Sequence, residues 1–425
     1  MMQYSKSSLL NTSFVLLLSV IATPFFSTQV FAAAYKIPEQ SSNAVGLAAA
    51  YVANANGPDA AYYNPANMVW GNEGAAIETN LTYLYLPSAK FSGSVFGSAV
   101  NADSKSEQFI LPNIHYISPK LGKARIGFSV VYPFGLSKRW NDPFQQLFAE
   151  EFTLEIIEVD LSAGYEVNDR FAIGGGVRGI RSEGKVIRRG NLPVGPGTSV
   201  PVSGEMDGDD FSAGYFLALS ARPVQNLSMA VIYRSEVKPT LEGDANLTAT
   251  GSPPYNGPVE LEIVLPASLQ VATAYTYRKA VFEFVYERTY WGEYKALDFK
   301  FARILDNGVQ TQFFDNAIVK NYRDSDTYRM GLTYHYNPKW IFLYGFAIDE
   351  TPAPGETLNF ELPDADALIY STGFLYRPNE RMAFALAYLT SQKKDRFFRN
   401  TGAAGITGEF ESSAHLVSLS YTHAF

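Results

Sequence analysis

Four histidines and no cysteine carry whatever acid–base or metal chemistry this chain of 425 residues could do. His115, His335, His415 and His423 all fall in segments that read as strands, and no two stand four apart as in a helical zinc site. No G-x-S-x-G elbow occurs to seat a nucleophilic serine. Gly174-Gly175-Gly176-Val177-Arg178-Gly179 satisfies G-x-G-x-x-G, but no helical pattern follows, so it reads as a glycine-rich strand and not a nucleotide site. Asp207-Gly208-Asp209-Asp210 lacks calcium-loop spacing and reads as solvated loop. Without cysteine there are neither disulfides nor thiolate metal sites. No enzyme, metal site or cofactor is expected.

The elements that could position other chemistry are clearest at the carboxyl end. Residues 414–425 read AHLVSLSYTHAF, with Val417, Leu419, Tyr421 and Phe425 on one parity and Ser418, Ser420, Thr422 and Ala424 on the other. An apolar face backed by a small polar one, ending in an aromatic residue, is the usual closing strand of a bacterial outer-membrane barrel. Tyr421 and Phe425 are therefore candidates for an assembly signal read by the barrel-insertion machinery. From about residue 78 onward roughly fourteen extended segments follow, an even number as such barrels require. The alternation is plain at Ile126, Phe128 and Val130 against Gly127 and Ser129. It recurs at Phe211, Tyr215, Leu217 and Leu219 against Ser212, Gly214, Ala218 and Ser220. Short turns at residues 119–123, 167–170, 223–226, 337–339 and 378–381 alternate with long loops at 141–151, 190–210 and 306–326. That alternation fits periplasmic turns and external loops.

The first 32 residues read as a signal peptide: Lys6, an apolar core at 14–22, Pro24, and Val30-Phe31-Ala32 before the cut. Residues 33–75 are rich in Ala, Ser and Asn, broken at Gly57-Pro58 and Asn64-Pro65, and too weakly apolar to fold alone; inside a barrel they would form a hatch. Residues 76–425 complete the assignment. The expected fold is all-β: a transmembrane antiparallel barrel of about fourteen strands with a small hatch of short helices in its lumen. With 27 Tyr and 30 Phe, aromatic girdles are well supplied, and a net charge of −8 argues against a nucleic-acid partner.

These residues carry a resemblance. Residues 35–46, Asn64-Pro65-Ala66, Pro112-Asn113-Ile114-His115-Tyr116, Tyr233-Arg234-Ser235-Glu236-Val237-Lys238, Thr289-Tyr290-Trp291, and Asp349-Glu350-Thr351-Pro352-Ala353-Pro354 followed by residues 369–376 make the chain similar to the FadL family of outer-membrane transporters. The resemblance implies carriage of long-chain fatty acids or other hydrophobic compounds. It also implies a luminal hatch gated around Asn64, Pro65 and Ala66, an external apolar groove, and an inward kink in the third strand that opens the wall sideways. The residues alone leave the kink open. Pro133 lacks a ladder donor and Gly135 a side chain, so pairing should fail at Pro133-Phe134-Gly135, yet Pro133 could simply end a strand at the rim. Arg181 and Arg323 align loosely with basic residues that in the family meet the substrate carboxylate. Guanidinium suits that task, though each could equally bind lipopolysaccharide or a neighbouring acid such as Glu183 or Asp324. Phe144, Leu147, Phe148 and Phe152 have the spacing of a short amphipathic helix and are candidates for the groove.

Function is therefore read as passive, substrate-gated transport by an exported outer-membrane monomer. The alternatives are an aromatic-hydrocarbon channel of the same fold and a structural or adhesive barrel without transport.

Overall fold

The computed structural model describes residues 34–95, 97–195, 197–303, 305, 308–400 and 405–425, so the expected signal peptide lies outside the described residues. Fourteen strands form one antiparallel ring: β1 (Ala76–Leu86), β2 (Glu107–Ile117), β3 (Ala124–Lys138), β4 (Glu151–Asn168), β5 (Phe171–Gly195), β6 (Thr198–Val224) and β7 (Leu227–Arg234), then β8 (Ser268–Tyr277), β9 (Ala280–Thr289), β10 (Ser325–His335), β11 (Trp340–Asp349), β12 (Ala367–Asn379), β13 (Met382–Lys393) and β14 (Ser413–Ala424). The last strand returns to the first, from Ala76↔Ala424 to Tyr85↔His415. Closure matters because an open edge in hydrocarbon would leave a row of peptide groups unpaired.

Burial runs inside out. Val177, Leu217, Leu386 and Leu419 are exposed, whereas Ser418, Ser420, Glu158 and Asp160 are buried, so the apolar parity faces outward and the polar parity lines the lumen. Aromatic pairs mark both ends of the apolar band. Trp340–Tyr376 and Phe384–Tyr421 lie 4.7 and 5.2 Å apart at one end, and Tyr286–Tyr328 lie 5.6 Å apart at the other. Three of the tight turns share one device. Asn168, Asn337 and Asn379 each accept, through Oδ1, the N–H groups of the residues two and three further on.

Residues 190–210 correct the expectation of a long loop. They continue β5 and β6 as a hairpin, with Gly190↔Val202 and Leu192↔Val200 in register, so these strands reach 25 and 27 residues. Pro193, Gly195, Gly197 and Pro201 make that extension read as loop, although Leu192, Val200, Val202 and Met206 share one parity, and the ladder satisfies its backbone. The upper part of β6 also pairs with Thr240–Ala249, which carries Tyr255–Glu262 and Phe299–Phe301 beyond it. A separate four-stranded sheet of Lys90–Val95, Ser98–Asp103, Ile406–Glu411 and Arg396–Asn400 packs Phe91 and Phe410 against Phe360, with Phe398 stacked on Phe410.

Inside the ring sits the hatch. Its helices are α1 (Ser42–Gly46) and α2 (Ala60–Tyr63), followed by a 3-10 turn at Pro65–Trp70. Ser41 caps α1 by accepting the Ala44 N–H. Pro65 opens the 3-10 turn, where its missing donor costs nothing.

Candidate functional site

The hatch closes the barrel axis by close contact and by buried polar bonds. A Cβ at Gly174 would lie 2.5 Å from the Ala66 nitrogen, and one at Gly345 would collide with the backbone of Leu47 and Ala48. The glycine-rich strand thus gives the Pro65-Ala66 backbone its seat. Asn64 donates through Nδ2 to the Val52 carbonyl and to Ser220 Oγ, both at 2.9 Å, tying the turn to β6. Arg125 donates to the Met68 carbonyl, Arg234 to the Tyr62 carbonyl, and Glu283 accepts the Val52 and Ala53 N–H groups. Buried charges continue the fastening: Lys36 pairs with Glu287, which Arg329 also holds at 3.1 Å. Glu39 lies 4.0 Å from Arg329, and its burial pushes the carboxyl up to about 7 despite that cation.

The wall itself is incomplete at one place. β2 and β3 pair only over Ile114–Ile117 and Gly127–Val130. Beyond that β3 bends inward, its register against β4 slips between Val131 and Phe134, and it takes the hatch strand as partner through Lys36↔Phe134. Phe134 is buried against Tyr35, which also packs on Trp291 at 4.8 Å. Proline without a donor and glycine without a side chain make this bend cheap.

Three cavities meet around the bend. An apolar one of about 50 Å³ lies between Tyr35, Phe152, Leu154, Met206 and Leu261 on the extended side of the barrel. A luminal one of about 190 Å³ is lined by Ile37, Leu84, Lys138 and Lys393. The third, of about 950 Å³, fills the gap in the wall between Phe109, Ile110, Leu111 and Pro112 of β2 and Tyr132 and Phe134 of β3. Leu136 borders all three, and Ile37, Leu84, Leu86 and Gly135 border both the luminal and the wall cavity. Apolar side chains of Ile37, Leu84, Leu86 and Leu136 therefore link the luminal cavity to the wall cavity, whose outer part also carries the charged residues Glu155, Arg181, Asp207 and Glu242.

A closed fourteen-strand wall with a seated hatch invites comparison with known barrels. The sequence profile of a family described as outer membrane protein transport protein (OMPP1/FadL/TodX) matches residues 23–425. The chain belongs to this family. A long-chain fatty acid transport protein of Escherichia coli O6:H1 (strain CFT073) is 25% identical, the match covering 95% of this chain and 97% of that protein. The fold is that of a Pseudomonas aeruginosa FadL homologue, with TM-score 0.83 at 20% identity over 92% of this chain and 100% of that one. The Pseudomonas putida toluene transporter TodX gives TM-score 0.69 at 17% identity, covering 92% and 99%. The protein is accordingly an outer-membrane β-barrel of a transport family.

Within this member of the OMPP1/FadL/TodX family, the residues singled out by sequence fall in different places. Asn64, Pro65 and Ala66 form the buried turn on β5 and β6, and Pro133, Phe134 and Gly135 sit at the bend. Tyr421 lies on the outward parity of β14, and the Phe425 N–H donates to the Ala75 carbonyl beside the start of β1. Of the four proposed groove residues, Phe152 lines the apolar cavity. Phe144, Leu147 and Phe148 do not; they surround α3 (Gln146–Ala149), where both phenylalanines pack on Phe360 and Leu147 is buried. A helix of four residues has no room for one wet and one greasy face, so these side chains close a core.

The structure places Arg181 and Arg323 away from the luminal cavity. Arg181 shares its parity with Ile173 and Val177, which face lipid; it borders the wall cavity from outside and pairs with Glu183 at 2.6 Å. Arg323 is exposed ahead of β10 and lines none of the three cavities. The cations that line the luminal cavity are Lys36, Lys138 and Lys393. Lys393 pairs with Asp364 at 2.7 Å, whereas Lys138 is buried with no carboxylate within ion-pair distance among the described residues. Parity would have missed it: Lys138 shares parity with the lipid-facing Ile126 and Phe128, and only the register slip between Val131 and Phe134 turns it inward.

Proposed function

We propose that the protein is a passive, substrate-gated conduit for long-chain fatty acids, with lateral release into the outer leaflet. The ligand passes from the apolar cavity to the luminal one and leaves through the wall between β2 and β3. The observation that carries this reading is the missing β2–β3 ladder beyond Ile114 beside an axis filled by the hatch. Each methylene kept out of water contributes about 0.8 kcal/mol, and a chain that stays in apolar surroundings needs no energy source to leave. Rebuilding the wall by Pro133→Val with Gly135→Val should abolish oleate uptake at unchanged barrel yield. Uptake at the normal rate would mean that the ligand leaves through the hatch.

Lys138 supports an acidic head group. A buried ammonium without an acid partner is a ready site for a carboxylate, whereas an uncharged hydrocarbon would use the apolar cavity and ignore it. Lys138→Met should weaken fatty-acid binding by about 1.5–3 kcal/mol and spare the alcohol of equal length. Equal losses for both would point to packing. If the deletion strain loses growth on toluene but not on oleate, the aromatic-hydrocarbon reading takes over. A fatty acid co-purifying with the barrel would argue against a merely adhesive role.

The remaining partners follow from surface chemistry. Phe425, exposed at the end of β14, is offered to the barrel-insertion machinery, and the Arg181–Glu183 pair to the head groups of lipopolysaccharide. A ring that closes on itself, its β2–β3 gap lined by its own hatch, needs no second copy, so the working unit is a monomer.

A further inference from the structure

Where β3 leaves β2, its peptide groups lose their neighbours, and buried N–H and C=O groups must find others. The hatch supplies them. Pro133 O accepts the Ile37 N–H at 2.8 Å, and the Gly135 N–H donates to Tyr35 O at 3.0 Å, as one strand would bond to another. At Tyr132 the partner is a side chain: its N–H donates to Gln40 Oε1 at 2.8 Å, and its C=O accepts from Gln40 Nε2 at 2.9 Å. A carboxamide offers the same donor and acceptor as a peptide group. Continuing the register from Ile114↔Val130 would set Pro112 opposite Tyr132, and proline has no N–H to give.

Gln40 also reaches the other lip. Its backbone carbonyl accepts from Asn113 Nδ2 and lies within hydrogen-bond distance of His115 Nε2, both on β2 and both at 2.9 Å. Its own N–H donates to Tyr63 Oη at 2.6 Å, fixing it to α2, and the residue is wholly buried. No other hatch side chain among the described residues bonds the backbone of β3 across the gap while its main chain holds β2.

We propose that Gln40 sets the lateral aperture: it is a positioning residue whose carboxamide replaces the missing β2 peptide at Tyr132, keeping β3 bent inward and the two lips apart. The proposal rests on the lateral-release reading and adds to it the residue that holds the exit in shape. It also makes the hatch part of the wall, since moving the strand from Tyr35 to Gln40 strips β3 of four hydrogen bonds at once.

The test replaces the carboxamide with a group that can be switched. In Gln40→Glu a neutral carboxyl still offers Tyr132 one donor and one acceptor, whereas the ionised form turns an acceptor toward the Tyr132 carbonyl. His115 from β2, Tyr63 from α2 and the adjoining Glu39 face this site in the wild type too, so the profile is read as the difference from wild type. Oleate uptake by Gln40→Glu should approach the wild-type rate near pH 5 and fall about tenfold toward pH 8, and Gln40→Leu should be low throughout. The chain has no cysteine, so spin labels at Ile110→Cys and Tyr132→Cys, on opposite lips, report the aperture directly. In Gln40→Leu, and in Gln40→Glu at high pH, their distance should narrow toward that of adjacent strands. Unchanged label distances in Gln40→Glu across the pH range overturn the proposal, and they decide it even if Gln40→Leu does not fold. If Pro133→Val with Gly135→Val blocks uptake while both Gln40 variants transport normally, only the role of Gln40 falls. If the rebuilt wall transports, lateral release falls with it, and the label distances still report on the aperture.

Discussion

Pro65 and Ala66 press their backbone onto Gly174, whereas Tyr35 and Ile37 touch β3 through hydrogen bonds. The first contact has no side chain that could swing aside, so it is held or lost as a whole. The second can be undone bond by bond, and its neighbours are cavities instead of packed wall. One short hatch therefore makes a rigid seal along the axis and an adjustable one toward the membrane. On the proposed route, polar solutes would meet the first and apolar ligands the second.

The sharpest way to break that contrast is Arg329→Met. Arg329 donates to the Ala48 carbonyl and pairs with Glu287, so its loss loosens the hatch and leaves Glu287 to Lys36 and Gln270. A cost of about 3–5 kcal/mol is expected in the urea midpoint of the detergent-solubilised barrel. A loss near zero would mean that the ion pairs share none of the hatch's fastening.

Acidity should act on the same region. The Glu39 carboxyl holds its proton up to about 7 in the folded chain against an ordinary 4.5, so the folded state binds protons more tightly than the unfolded one. The stability that Glu39 contributes is thus fully present below the ordinary value and is lost as pH rises from there through about 7, by up to roughly 3 kcal/mol. Glu39→Gln should flatten the decline, and an identical pH profile for wild type and variant would remove Glu39 from the account.

Gly174→Val sharpens the comparison from the other side. Overpacking the seat should cost about 1–3 kcal/mol and, by lifting Ala66, admit small polar solutes in liposome swelling while the gap between β2 and β3 keeps its shape. Exclusion of such solutes in a folded variant would show that the seat is not the axial seal. Ser220→Ala is the mildest intervention. It removes one partner of Asn64 and should cost about 1 kcal/mol in the same urea titration, without leakage.

Much of the barrel was legible because lipid outside and water inside impose a two-residue period on every strand. Asn168, Asn337 and Asn379 marked tight turns by a purely local bond. The loop expected at residues 190–210 failed because its prolines and glycines look like a solvated loop; only the partner strands reveal a hairpin. Arg181 failed for a different reason. Its parity with Ile173 and Val177 was readable, but the likeness to a family site outweighed it.

The sequence by itself determined the closing strand, the count of crossings and the hatch segment with its Asn64-Pro65 turn, because each depends on neighbours within a few residues; at Pro133 and Gly135 it left a kink and a strand end equally open. Tertiary structure alone decided that Lys138 rather than Arg181 faces the lumen, that Gly174 seats Ala66, and that Gln40 bonds Tyr132, 92 residues away. Those contacts depend on how far one strand bends and where the hatch then comes to rest, and no local pattern of residues encodes either.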